Sequence, residues 1–166
     1  MGLFDRLREK KPAPVEFPAT LGAVTSGTFV PMNQIPDDVF SSGVLGTCCG
    51  VEPKEGRVFA PIGGKVTQVA DTLHAVGLEA GGMEILIHVG VDTVDMEGKG
   101  FSAKVKVGQS VEKGQELLTM DLEQIRAAGH PTTTILAVTN SDDFSTVEEV
   151  ASGRVNSGDA VLRISK

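Results

Sequence analysis

A glycine pair followed by strict apolar alternation constrains this chain more than any other stretch. Gly81-Gly82 precedes Met83-Glu-Ile-Leu-Ile-His88-Val89, in which Ile85, Ile87 and Val89 share one face and Glu84, Leu86 and His88 the other. Adjacent glycines supply the positive φ angles of a tight hairpin turn, so His74-Ala-Val-Gly-Leu-Glu79 is predicted to fold back as the partner strand. Loop length then decides the chemistry. A three-residue loop centred on Gly81 sets His74 directly opposite His88, with Cβ atoms roughly 4.5–5.5 Å apart. A two-residue loop puts the two rings on opposite faces. The first register lets two imidazoles face one small anion or one metal ion.

Around this hairpin, short β-type runs alternate with turn signals. They are Gly22-Ala-Val, Gly27-Thr-Phe-Val, Val58-Phe-Ala, Gly64-Lys-Val-Thr-Gln-Val, Ala103-Lys-Val-Lys-Val, Gln115-Glu-Leu-Leu-Thr-Met, Thr133-Thr-Ile-Leu-Ala-Val and Ala160-Val-Leu-Arg-Ile. Such frequent short strands, in a chain with 20 glycines, predict an all-β sandwich or barrel. One helix interrupts them, with Asp121 as N-cap, Leu122 and Ile125 inward and Gly129 as terminator. A second helical turn is expected at Thr146-Val-Glu-Glu-Val150. Val111-Glu-Lys-Gly-Gln-Glu-Leu-Leu-Thr-Met120 echoes Val155-Asn-Ser-Gly-Asp-Ala-Val-Leu-Arg-Ile164, and Gly27-Thr-Phe-Val more faintly echoes Gly64-Lys-Val-Thr. Two copies of one β-unit would explain both echoes.

Residues 1–18 read as a flexible N-terminal tail ending in a Pro-rich linker, and 19–166 as one domain. Leu3, Phe4 and Leu7 form an apolar stripe among Arg6, Arg8, Lys10 and Lys11, but Pro12 and Pro14 follow closely. Residues 2–10 therefore support at most weak membrane association. The net charge of −7 argues against nucleic acid and fits a basic protein partner. Cys48 and Cys49 are adjacent, with no third cysteine, in a run that reads as a buried strand; a reduced, cytoplasmic setting is expected.

Gly90 after His88 frees the backbone to turn, so its carbonyl can accept the His88 Nδ1–H and leave Nε2 as a nucleophile. A second imidazole at His74 can stabilise charge on transferred oxygens, with Thr72 fixing its tautomer and Asp92 orienting a ring or the transferred group. His130, in a Gly-His-Pro turn, is expected to be an exposed loop residue.

At these residues the chain resembles the glucose-type enzyme IIA component of the bacterial phosphoenolpyruvate-dependent sugar phosphotransferase system. The matching stretches are Ala60-Pro-Ile-Gly-Gly-Lys-Val66, Thr72-Leu-His74-Ala, Ile87-His88-Val-Gly90-Val-Asp92-Thr-Val, Glu97-Gly-Lys-Gly-Phe101 and Val107-Gly-Gln-Ser-Val-Glu-Lys-Gly114. The resemblance implies an antiparallel β-sandwich of duplicated hybrid topology with one or two short helices. It also implies His88 as the phosphorylated residue, His74 as its phosphate-stabilising partner, and Thr72, Gly90 and Asp92 in support. An apolar rim for partners maps onto Val39, Phe40, Val44, Leu86 and Val94. Phosphate would arrive from the histidine-containing phosphocarrier protein and leave for a cysteine of the sugar-specific enzyme IIB, and regulatory proteins are further partners of this kind of domain. No metal or other cofactor is implied, and the chain would work through a phosphohistidine intermediate rather than as a free-standing turnover enzyme. The chain departs from the family pattern at Leu73, where an Asn is frequent, and at Ala70, near which an aromatic is frequent. One alternative is a zinc hydrolase using His74, His88 and Asp92. Another is a lipoyl- or biotinyl-type carrier, suggested by Val107–Gln115 but lacking a lysine at a hairpin tip.

Overall fold

The computed structural model of the protein describes residues 14–166, so the segment 2–10 lies outside the described residues. Residues 14–18, expected to end the tail, instead lie against the domain. Val15 and Phe17 are half-buried beside the core, and the Phe17 ring stacks on Phe144 with centroids 5.7 Å apart.

Among the described residues the strands form two copies of a seven-strand unit, one nested inside the other. The outer copy supplies β1 (Ala19–Gly22), β2 (Gly27–Val30) and β3 (Thr47–Pro53), then resumes with β11 (Thr134–Val138), β12 (Thr146–Glu149), β13 (Arg154–Val155) and β14 (Ala160–Ser165). The inner copy runs through β4 (Arg57–Phe59), β5 (Gly64–Val69), β6 (Ala75–Ala80), β7 (Met83–Val89), β8 (Phe101–Ala103), β9 (Ser110–Val111) and β10 (Glu116–Met120). An eight-stranded sheet has the order β13-β2-β3-β11-β7-β6-β5-β9, which reads the same from either end once each strand is exchanged for its counterpart. The three-stranded sheets β1-β14-β12 and β4-β10-β8 correspond in the same way. Every pairing is antiparallel.

The sequence echoes mark this duplication. Gly27 pairs with Val155 just as Gly64 pairs with Val111. The turns that follow are closed identically: Gln115 N–H donates to the Glu112 carbonyl and Asp159 N–H to the Asn156 carbonyl, both at 3.0 Å. In each, the side chain of the same residue accepts the reciprocal backbone N–H, from Glu112 at 3.1 Å and from Asn156 at 2.8 Å.

The core lies where the three sheets meet, with Leu162 and Ile164, Leu117 and Leu118, and Ile87 and Leu136 all essentially inaccessible. A second, smaller cluster covers part of the other face of the large sheet. There Ile35 and Phe40 lie over Cys48, Ile135 and Ala137. This cover comes from the excursion between β2 and β3, which contains a 3-10 turn (Met32–Gln34) and a short helix, α1 (Asp38–Ser41). Asp37 caps α1 by accepting the Val39 N–H at 2.8 Å.

The capped helix expected after Asp121 is α2 (Leu122–Ala127), whose Gln124 N–H is accepted by Asp121 at 3.1 Å, with Ile125 buried and Gly129 at φ +84°. Two local expectations are corrected. Thr146–Glu149 is not helical but the edge strand β12, because pairing with β14 satisfies its backbone and a free helical turn would not. Of Ala103–Val107 only Ala103 is in a strand; the chain then leaves the sheet while keeping Val105 buried.

Candidate functional site

His88 stands near the end of β7, on the face away from the main core, as the alternation requires. Its Nδ1–H donates to the Gly90 carbonyl at 2.8 Å. Gly90 has φ +74°, and a Cβ there would overlap the Thr93 methyl and approach the Pro131 carbonyl at 3.0 Å. Only glycine suits both the angle and the space. In the neutral ring the Nδ1 bond leaves the Nε2 lone pair free.

The hairpin loop differs from the register on which the pairing of imidazoles was expected to depend. Ala80 pairs with Met83 and Ala75 with His88, so Gly81 and Gly82 alone form the turn, at φ +56° and +84°. Two central residues with positive φ make the loop whose twist best suits a hairpin. Even so, the rings of His74 and His88 meet, with centroids 4.9 Å apart and planes at 82°. The reason is that His74 precedes β6 and escapes its alternation. Leu73 has φ +61°, and this left-handed residue swings the chain into the strand from outside the pleat. The backbone remains tied to β7, because Val89 N–H donates to the His74 carbonyl at 2.8 Å. A leucine at positive φ is strained by about 1–2 kcal/mol, and its side chain packs half-buried against the main core in partial compensation. Asn tolerates that angle better, which gives physical sense to the departure at this position. Thr72 Oγ1 lies 2.6 Å from His74 Nδ1 and orients that ring.

Burial lowers the pKa of His74. His88 is lowered chiefly by burial and then by the neighbouring His74; the Gly90 hydrogen bond, Asp37 and Asp92 oppose the shift. Both rings are therefore neutral at pH 7, the state needed for nucleophilic nitrogen.

The expected rim residues do not behave alike. Val39, Val44 and Val94 are exposed at 49%, 71% and 50%. Leu86 is half-buried beside the second cluster. Phe40, however, is buried, and its ring centroid lies 5.1 Å from that of His88, so it forms the wall of the site rather than its outer rim. The sequence reading put Phe40 in the rim rather than the wall, because α1 is too short to show a helical period. Asp92 is exposed, with φ +61°, at the start of a 3-10 turn (Thr93–Met96). Among the described residues no group of three His, Cys, Asp or Glu side chains converges to hold a metal ion, so the hydrolase alternative lacks its third ligand. His130 is half-buried rather than exposed, because its N–H caps α2 on the Ile125 carbonyl at 3.1 Å. Cys48 and Cys49 are buried thiols as expected; burial pushes Cys48 up to about 12, and its Sγ–H donates to the Phe40 carbonyl at 3.4 Å.

The duplicated antiparallel sandwich thus brings two oriented imidazoles together where β6 begins and β7 ends in its large sheet. The family model for the phosphoenolpyruvate-dependent sugar phosphotransferase system, EIIA 1, matches residues 19–144, and the chain belongs to this family. It is 36% identical over 162 residues to the glucose-specific EIIA component of Halalkalibacterium halodurans, covering 97% of this chain and 92% of that protein. It is 44% identical over 138 residues to the beta-glucoside-specific EIIBCA component of Dickeya chrysanthemi, covering 82% of this chain but only 22% of that much longer protein. The structure of glucose permease IIA from Mycoplasma capricolum superposes with a TM-score of 0.78 at 33% identity, over 87% of this chain and 94% of that one.

Proposed function

We propose that this chain is a cytoplasmic phosphoryl carrier in sugar uptake, with His88 Nε2 as the acceptor. The observation that carries the reading is the meeting of two imidazoles, each with its Nδ1 already engaged. The His88 Nε2 lone pair attacks phosphorus on the phosphorylated histidine of the phosphocarrier protein. A new N–P bond forms, the donor's N–P bond breaks, and the donor imidazole leaves with the electron pair. In the second half-reaction a cysteine thiolate of enzyme IIB attacks the same phosphorus, and His88 departs as the neutral ring. With the Thr72 hydroxyl donating to Nδ1, His74 presents Nε2–H to an equatorial phosphoryl oxygen, where negative charge accumulates. Asp92 borders the site and bears on the incoming partner. Val39, Val44, Leu86 and Val94 supply apolar contact, and closing them under a partner excludes water from a labile N–P bond. An acidic chain suits a basic partner surface. Residence of the related domain in chains named EIIBCA supports enzyme IIB as the second partner. Regulatory proteins that read the phosphorylation state would approach the same face. Among the described residues no helix is long and apolar enough to cross a membrane.

Incubation with phosphoenolpyruvate and the two general upstream proteins should add one acid-labile phosphate, and His88→Ala should abolish it. His74→Gln should accept phosphate but pass it onward about 100-fold more slowly, since one transition-state donor is lost. Normal labelling of His88→Ala would refute the assignment.

A further inference from the structure

Glycine at position 90 solves one problem and creates another. It permits the φ of +74°, but a glycine backbone is the least self-restrained, and its carbonyl sets the His88 ring. The structure shows what restrains it. Gly90 N–H donates to the Thr133 carbonyl at 3.0 Å, and Val91 N–H to the Pro131 carbonyl at 3.1 Å. On the remaining side, the Val89 carbonyl accepts the hydroxyl of Thr93, a side chain with no solvent exposure. Val89 is also the residue whose N–H holds the His74 carbonyl. Thr93 thus reaches neither histidine, yet its hydroxyl anchors the one residue that links both.

We propose that Thr93 is a positioning residue for phosphoryl transfer, its hydroxyl fixing the Val89–Gly90 peptide and through it the His88 ring. This rests on the reading of His88 as the acceptor. Apart from the His88 ring itself, this hydroxyl is the only side-chain donor among the described bonds to the Val89–Val91 backbone, and none of the turn and loop backbone bonds shares the Val89 carbonyl with it. A hydroxyl that served the fold alone would, on removal, cost stability and leave the ring as it was.

Two substitutions separate these roles. Thr93→Val keeps the volume and removes the donor, whereas Thr93→Ser keeps the donor and removes the methyl. Histidine nitrogen NMR on the folded proteins, with transfer kinetics from the phosphorylated donor protein, supplies the readout. The wild type and Thr93→Ser should show a single His88 tautomer, protonated on Nδ1. Thr93→Val should show a mixture, with kcat lowered about 10- to 100-fold by the misplaced nucleophile and KM little changed, because Thr93 is buried away from any partner. A single Nδ1–H tautomer and normal kcat in Thr93→Val would overturn the proposal. So would a Thr93→Ser protein as damaged as the valine variant. Should Thr93→Val not fold, the serine variant alone decides, and loss of its Nδ1–H tautomer overturns the claim. If the wild type itself takes no phosphate on His88, the proposed function fails, while the tautomer comparison still decides the role of Thr93.

Discussion

The two nested copies share a backbone plan but differ where it matters. Phe29 pairs with Val51 as Val66 pairs with Leu78, and Val51 then pairs with Thr134 as Leu78 pairs with Ile85. Following the register, Cys48–Ala137 corresponds to Ala75–His88. Ala137 thus occupies in the outer copy the place His88 occupies in the inner one. The connections differ as well. Between β5 and β6 the chain makes a short turn carrying Thr72, Leu73 and His74; between β2 and β3 it makes the long excursion 31–46. That excursion buries Ala137 under Ile35 and Phe40 and presses Phe40 against His88. One copy supplies the paired imidazole rings and the other supplies their wall. Duplication built a symmetric frame, and a long loop in one copy and a left-handed turn in the other broke the symmetry into a site.

The strongest test of this asymmetry is to place a histidine at the equivalent position. Ala137→His should not create a second acceptor, because that position is fully covered. It should lower unfolding free energy by about 4 kcal/mol, from overpacking and from a buried polar ring without a partner. Urea unfolding measures the loss. Labelling of Ala137→His in the His88→Ala background would show that the wall is dispensable and would break the comparison. Next in size is Gly90→Ala, whose counterpart by register is Thr139, a residue that is exposed and not at positive φ. The added Cβ meets Thr93 and the Pro131 carbonyl at an unfavourable φ, so about 3 kcal/mol should be lost, along with rapid phosphoryl transfer. Thr139→Ala should change stability by no more than about 0.5–1 kcal/mol. Equal effects at the two positions would mean that the turn after β7 is not specialised.

Much of this asymmetry was legible in the residues, but not all of it. The alternation of Met83–Val89 assigned the faces of β7, and the repeated Val-x-x-Gly pattern located corresponding turns, because both depend on local periods and turn chemistry. His88 with Gly90 was legible because a glycine there has one obvious use. The loop length between β6 and β7 was not, since Ala80-Gly81-Gly82 allows either two or three residues. The meeting of the rings was therefore expected for a reason that the structure replaces: a left-handed Leu73, which sequence propensity argues against. Phe40 was recognised as part of the site but not as buried, because its depth depends on a long-range contact of a four-residue helix. Thr146–Glu149 misled because an edge strand with two glutamates reads locally as helix.

Phe40→Ala tests how far one copy depends on the other's loop. Removing a buried ring costs about 3 kcal/mol, at the lower end for phenylalanine because the loop can settle. The informative readout is the His88 pKa. Burial is the largest cause of its lowering, so admitting water should raise it toward 6.5. Titration of the His88 ring by NMR gives the answer, and an unmoved or further lowered pKa would show that Phe40 does not shield it.

The smallest expected effect concerns acid. His74 and His88 both titrate below the ordinary histidine value in the folded chain. As pH falls, the unfolded chain therefore binds these protons first, beginning near pH 6.5. The stability that the neutral pair allows is complete above that value. It declines as pH falls toward the folded pKa values, and below them this source contributes no further loss. Only the inner copy carries such groups at this end of the sheet, so replacing both rings by glutamine should remove the slope while leaving the outer copy untouched. Urea midpoints measured from pH 7.5 down to pH 5.5 should fall for the wild type and stay flatter for His74→Gln/His88→Gln. Parallel curves would place the acid sensitivity elsewhere in the molecule and remove the buried pair as its cause.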